Sequence, residues 1–150
     1  MNVIAAPMGM HEMAQTSSQA AIRPVRVAGR PLRVLIVEDE LLVAWHLESL
    51  ARDQHLEVCG LVPDGDGAIE QSDDLDVDLI LMDIRLAGRM DGIEAARRIR
   101  ERRTTPIIFI TAHGDPATRA TVDRVIPNAP VLAKPISADR LRDAIASVMK

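Results

Sequence analysis

The run Leu79-Ile80-Leu81-Met82-Asp83-Ile84 constrains the fold more than any other stretch: it has strand length, is apolar almost throughout, and presents one carboxylate near its end. A strand that is apolar on both faces needs a layer on each side, which is the condition of a central strand in a parallel sheet. Three more runs share the design. Leu32-Arg33-Val34-Leu35-Ile36-Val37 leads into Glu38-Asp39-Glu40, Pro106-Ile107-Ile108-Phe109-Ile110 into Thr111-Ala112, and Ala129-Pro130-Val131-Leu132-Ala133 into Lys134-Pro135. In an open parallel sheet, ligands bind at the carboxyl ends of the strands, so four polar groups are delivered to one edge.

Between these runs the pattern turns helical. Val43, Leu47 and Leu50 recur on one face, with Trp45 and His46 beside it, and predict a helix from about Glu40 to Asp53. Glu57 to Val62 reads as a short second strand, after which Pro63-Asp64-Gly65 turns the chain into a weak helix around Ala68 to Ser72. Asp91 caps a third helix with Ile93, Ala96 and Ile99 inside and Arg97, Arg98, Arg100, Arg102 and Arg103 in water. Asp115-Pro116 supplies a cap and a proline at the first helical position for a fourth helix reaching Val125. Ser137 caps the last helix, whose Leu141, Ile145 and Val148 face inward. Strict alternation of five strands and five helices implies one α/β domain, its parallel sheet covered on both faces through right-handed crossovers.

The 150 residues suffice for one such domain with a proper core. A net charge of -4 gives no electrostatic reason to expect nucleic acid or an acidic membrane as a partner. Cys59 is the only cysteine, so no intrachain disulfide can form, and a cytoplasmic location is the natural expectation. Its apolar setting in Val58-Cys59-Gly60-Leu61-Val62 reads as a small buried core residue. No apolar stretch approaches the roughly 20 residues that span a bilayer. Residues 1–31 read as a flexible tail without a secretory pattern, and Met8, Met10 and Met13 leave a later translation start open.

Chemistry follows from what the strand ends assemble. Glu38, Asp39 and Asp83 side by side repel one another unless a counter-charge intervenes, and a hard divalent cation such as Mg2+ takes such oxygen ligands. The plainer account is that Glu38-Asp39-Glu40 merely favours a helix N-terminus, worth about 0.3 to 1 kcal/mol. Thr111 and Lys134 decide between the two, because a hydroxyl and an ammonium suit the remaining oxygens of a metal-held phosphoryl group. Asp83 can then act as nucleophile and form an aspartyl phosphate in an in-line transfer.

Through Val34-Leu35-Ile36-Val37-Glu38-Asp39-Glu40, Leu81-Met82-Asp83, Phe109-Ile110-Thr111-Ala112 and Ala133-Lys134-Pro135, residues 32–150 resemble the receiver domain of two-component response regulators, in its single-domain, CheY-like form. The resemblance implies a flavodoxin-like, doubly wound sheet of order 2-1-3-4-5, the order the chemotaxis relative exemplifies. It implies that Asp83 accepts phosphate from a sensor histidine kinase or phosphotransfer protein, so the chain acts as a phosphorylation switch and not as an enzyme. Asp39 and Asp83 would bind Mg2+ directly, Glu38 through water and Arg85 by its backbone carbonyl. Thr111 would move toward the phosphate, Lys134 would pair with it, and the Lys134-Pro135 peptide would be cis. The last helix consumes the sequence, so no output domain is expected, and signalling by protein contact or phosphate relay follows. Partners, or a second copy in a homodimer, would meet the face of helix four, strand five and helix five.

The sequence departs from the family pattern at three points. Glu38 stands where aspartate is commoner, which lengthens the reach to metal. The loop Arg85-Leu86-Ala87-Gly88-Arg89-Met90-Asp91-Gly92 has Ala87 where many relatives have proline, and is one residue longer. Val131 stands where the family often carries a tyrosine or phenylalanine whose ring couples phosphorylation to the outer face, so the signal is expected to travel through the loop after Thr111 instead. Arg85 and His113, two residues beyond Asp83 and Thr111, are candidates for tuning phosphate lifetime. Two rival readings stand beside this one, the second keeping the same fold. A Mg2+-dependent aspartyl-phosphate phosphohydrolase usually needs an acid where Arg85 stands, and a non-phosphorylated interaction module would have no use for Asp83, Thr111 and Lys134 together.

Overall fold

A computed structural model describes residues 26–74 and 76–150. The strands are β1 (Arg26–Val27), β2 (Arg30–Pro31), β3 (Arg33–Val37), β4 (Glu57–Val62), β5 (Leu79–Asp83), β6 (Ile107–Thr111) and β7 (Val131–Ala133). The helices are α1 (Leu41–Asp53), α2 (Gly65–Asp74), α3 (Gly92–Arg100), α4 (Pro116–Val125) and α5 (Ala138–Val148). β3 to β7 form one sheet in the order β4-β3-β5-β6-β7, and every pairing is parallel. This is the 2-1-3-4-5 order, with five helices packed on the two faces.

Side chains alternate across each strand, so one sheet builds two cores. Leu35, Val37, Ile80, Met82, Ile107 and Phe109 face α2, α3 and α4, meeting Ala68, Ala95, Ala96, Ile99 and Val122. Val34, Ile36, Leu79, Leu81, Ile108 and Ile110 face α1 and α5, meeting Leu47, Ala51, Leu141, Ala144 and Ile145. All five residues of β5 are buried, including Asp83. The central position that the apolar run Leu79–Met82 demands is therefore the position it holds.

Several local details differ from the sequence reading. Arg26–Pro31, read as part of a tail, forms a hairpin in which Arg26 pairs with Pro31 and Val27 with Arg30. Its turn takes Ala28 and Gly29 at φ of 52° and 79°, the backbone of a two-residue hairpin loop. Arg30 fastens it to the body, with Nη1 2.7 Å from Asp78 Oδ2 and Nη2 3.2 Å from Asp76 Oδ2. The rest of the tail, residues 1–25, lies outside the described residues. α2 is longer than Ala68 to Ser72, because Asp64 Oδ1 accepts the Gly67 N–H at 2.7 Å and starts the helix early.

Cys59 is half-buried and falls where the β3–β4 register shifts, between the pairs Val34 to Val58 and Leu35 to Gly60. Burial raises its thiol pKa, and the side chain packs against the core. Of the arginines after Glu94, Arg100 is half-buried, while Arg97 and Arg98 pair with Glu94, and Arg102 and Arg103 with Asp73. No helix among the described residues is long and apolar enough to cross a membrane.

Candidate phosphoryl and metal site

The carboxyl ends of β3, β5, β6 and β7 lie side by side and deliver Glu38 and Asp39, Asp83, Thr111 and Lys134. Two packing details hold Asp83 in place. Asp83 pairs with Ile110 of β6, and the next N–H, of Ile84, donates to the Ile110 carbonyl at 3.0 Å. Gly92 presses the first turn of α3 onto the strand end: its N–H donates to the Ile84 carbonyl at 2.7 Å, and a Cβ there would collide with the Asp83 carbonyl oxygen. The carboxylate thus leaves the sheet between two fixed elements.

Glu38 and Asp83 are each only 4% exposed, Thr111 2%, whereas Asp39 is open to solvent. One carboxylate oxygen from each of Glu38, Asp39 and Asp83 can be chosen so that all three lie within 4.8 Å of one another. Lys134 reaches between two of them, with Nζ 2.7 Å from Glu38 Oε1 and 3.1 Å from Asp83 Oδ2. The Lys134-Pro135 peptide is cis. Thr111 is turned to its own loop: Oγ1 donates to the His113 carbonyl at 3.2 Å and accepts the His113 N–H at 3.1 Å. Arg85 and His113 are both exposed.

The electrostatics follow from burial. Burial pushes the Glu38 carboxyl up to about 7, and the nearby Asp83 adds to the rise, while Lys134 and the Glu40 N–H pull the other way and lose. Burial alone would lower the Lys134 ammonium, but Glu38 and Asp83 outweigh it and raise its pKa above the ordinary lysine value. Glu38 Oε1 is fully enclosed, and although Nζ lies close, no donor meets it along a hydrogen-bonding direction. An enclosed acceptor left short of hydrogen bonds, at the rim of a three-carboxylate cluster, fits a hard divalent cation with oxygen ligands.

The model of the response regulator receiver domain matches residues 34–146. The chain belongs to the response regulator receiver domains. Receivers are phosphoryl-accepting signalling switches and not enzymes, and they interact with histidine kinases or phosphotransfer proteins. This receiver is 37% identical over 120 residues to the transcriptional regulatory protein PdtaR of Mycobacterium tuberculosis, an alignment covering 79% of this chain and 57% of that protein. The chain thus spans little more than half the length of that relative. The signal receiver domain of a modulated diguanylate cyclase from Desulfovibrio desulfuricans is 38% identical with a TM-score of 0.71, the match covering 78% of this chain and 92% of that one. The receiver domain of the sensor histidine kinase PA1611 from Pseudomonas aeruginosa is 31% identical with a TM-score of 0.69, over 78% of this chain and 96% of that one. That structure carries a magnesium ion in its active-site cleft.

Sequence reasoning missed the surface beside this site. Leu41, Leu42 and Trp45, at the start of α1, are 58%, 76% and 53% exposed. Next to them Leu42, Val43, His46, Leu47, Pro135 and Ile136 line an apolar groove of about 360 Å³ that reaches Lys134. The available signal was the pair Leu41-Leu42, which sits outside the Val43, Leu47, Leu50 face and so could not all be core.

Proposed function

We propose that Asp83 is the phosphoacceptor of a phosphorylation switch in the cytoplasm, charged by a sensor histidine kinase or phosphotransfer protein. The observation that carries this reading is one buried carboxylate standing 3.1 Å from a lysine ammonium within a cluster of three acids. Asp39 and Asp83 would hold Mg2+ directly, with Glu38 through water and the Arg85 backbone carbonyl completing the set; the acidic cluster and the magnesium in the cleft of the Pseudomonas receiver support a metal at this place. The ion, when bound, supplies positive charge to phosphoryl oxygens and offsets the mutual repulsion of the acids.

An Asp83 carboxylate oxygen attacks phosphorus as the bond to the donor's imidazole nitrogen breaks, and the electron pair leaves with the imidazole. Lys134 leaves its place between Glu38 and Asp83 to neutralise a phosphoryl oxygen, and the Thr111 hydroxyl gives up His113 to donate to another. Arg85 and His113, exposed on the loops beyond Asp83 and Thr111, limit water's access to the acyl phosphate, so alanine at either position should change its lifetime.

Incubation with acetyl phosphate and Mg2+, followed by intact-mass measurement, tests the assignment. The parent should gain one phosphoryl mass that hydroxylamine removes, and Asp83→Asn should gain none; labelling of Asp83→Asn equal to the parent would sink the reading. The exposed Leu41, Leu42 and Trp45 and the groove that ends at Lys134 support this side as the one a phosphodonor protein meets. Leu42→Asp should therefore slow labelling by any kinase that labels the parent, while labelling by acetyl phosphate stays unchanged. Equal slowing of both reactions would remove the docking role.

A further inference from the structure

On the opposite flank of β7, a groove of about 420 Å³ is floored by Val131, Leu132 and Ala144 and rimmed by Arg119, Arg140 and Asp143. Arg119 is tied to the loop that follows β6. Its Nε donates to the Gly114 carbonyl at 3.1 Å. Because Gly114 lacks a side chain, the guanidinium settles against it, with Nη2 3.4 Å from where a Cβ would stand. Gly114 follows His113, whose N–H and carbonyl both hold the Thr111 hydroxyl. Hydrogen bonds at either end, joined by the His113-Gly114 peptide, thus connect a buried hydroxyl at the strand end through two loop residues to a guanidinium at the rim of the groove.

We infer that Arg119 is a positioning residue that holds the loop from Thr111 to Asp115 in its resting form. When Thr111 Oγ1 turns to a phosphoryl group on Asp83, His113 is released, the Gly114 carbonyl shifts and the guanidinium leaves it. The groove over Val131 then presents a different surface in the two states. This rests on Asp83 being the phosphoacceptor and adds the side chain through which the loop reports. A contact made in only one of two states biases the equilibrium toward that state, and the bias is reciprocal. Arg119 therefore opposes charging of Asp83, and its removal favours the charged form.

The full chain, titrated with beryllofluoride and Mg2+ as a phosphoryl mimic and followed by fluorine NMR, tests this on the parent, Arg119→Met and Arg119→Lys. Arg119→Met keeps the apolar stem without a donor and should bind the mimic about two- to fivefold more tightly, the worth of one exposed hydrogen bond. Arg119→Lys, which can still donate to Gly114, should stay near the parent, and Mg2+ affinity without the mimic should be the same in all three. In the parent, the Arg119 Nε–H resonance should lose its hydrogen-bonded shift on loading, a readout that needs no variant. A parent that binds the mimic with that resonance unmoved, or with Arg119→Met indistinguishable from it, overturns the role of Arg119 and leaves the phosphoacceptor standing. A parent that does not bind the mimic at all overturns both.

Discussion

The helices on either side of β7 are built alike at their starts and differently along their lengths. α4 begins where Asp115 accepts the Thr118 N–H at 2.7 Å, and α5 begins where Ser137 accepts the Arg140 N–H at 3.2 Å. Beyond these caps, α5 buries Leu141, Ala144 and Ile145, whereas α4 buries Val122 alone. Burying a Leu or Ile side chain is worth about 1.5 to 3 kcal/mol, so α5 is held by packing and α4 mostly by its cap and its own backbone. The contrast shows that a cap decides where a helix starts, while apolar contacts decide how firmly it is held. It also places the loosely held helix directly after the loop that carries Thr111 and His113, where a switch needs an element able to shift at small cost.

The strongest way to break the contrast is by truncation in the two helices. Leu141→Ala should destabilise the domain by about 2 to 5 kcal/mol in a denaturant titration, and Val122→Ala by roughly half as much. Equal costs would mean that α4 is anchored by more than its burial shows. Hydrogen exchange gives the next largest effect: amides of α4 should exchange through local opening well before those of α5, which should open only with the whole domain. Matching protection in both helices would contradict the comparison.

The smallest effect separates the two caps by chemistry. The Thr118 N–H, aided by the Thr118 hydroxyl, holds the Asp115 carboxyl below its ordinary value of 3.8. A lowered pKa means the ionised form is favoured in the fold, so its contribution is present above that ordinary value and is lost as pH falls through the lowered one. Ser137 does not titrate. Moving from about pH 6 to about pH 2.5 should therefore reduce the protection of α4 relative to α5, and an unchanged ratio would show that the Asp115 cap does not hold α4.

Much of this architecture was legible in the sequence, for a reason visible in β5. Leu79–Met82 is apolar on every face, which only a central strand tolerates, and the polar residue that ends each run marks the sheet edge. The convergence of Glu38, Asp39, Asp83 and Lys134 follows from strand order alone, because neighbouring strands end at the same edge. What stayed hidden depends on distance and accessibility. Ala28-Gly29 carries only a weak turn signal, and the two residues on either side are too few for a strand period, so the hairpin was invisible until Arg30 met Asp78, 48 residues away. Gly65 and Gly67 argue against a helix, and only the cap from Asp64 recovers its first turn. Exposure of Leu42 and Trp45 depends on which side of α1 meets the sheet, which Val43, Leu47 and Leu50 indicate without excluding a wider apolar face.

The buckle of Arg30 onto Asp76 and Asp78 has a practical consequence. β3 runs from Arg33, beside the buckle, to Val37, beside the acids, so the chain joins the body at the sheet edge farthest from Asp83. An affinity handle or surface tether joined directly to Arg26, in place of residues 1–25, would leave the acid-bearing rim facing solution, where kinases and small phosphodonors could be compared on the same immobilised molecule.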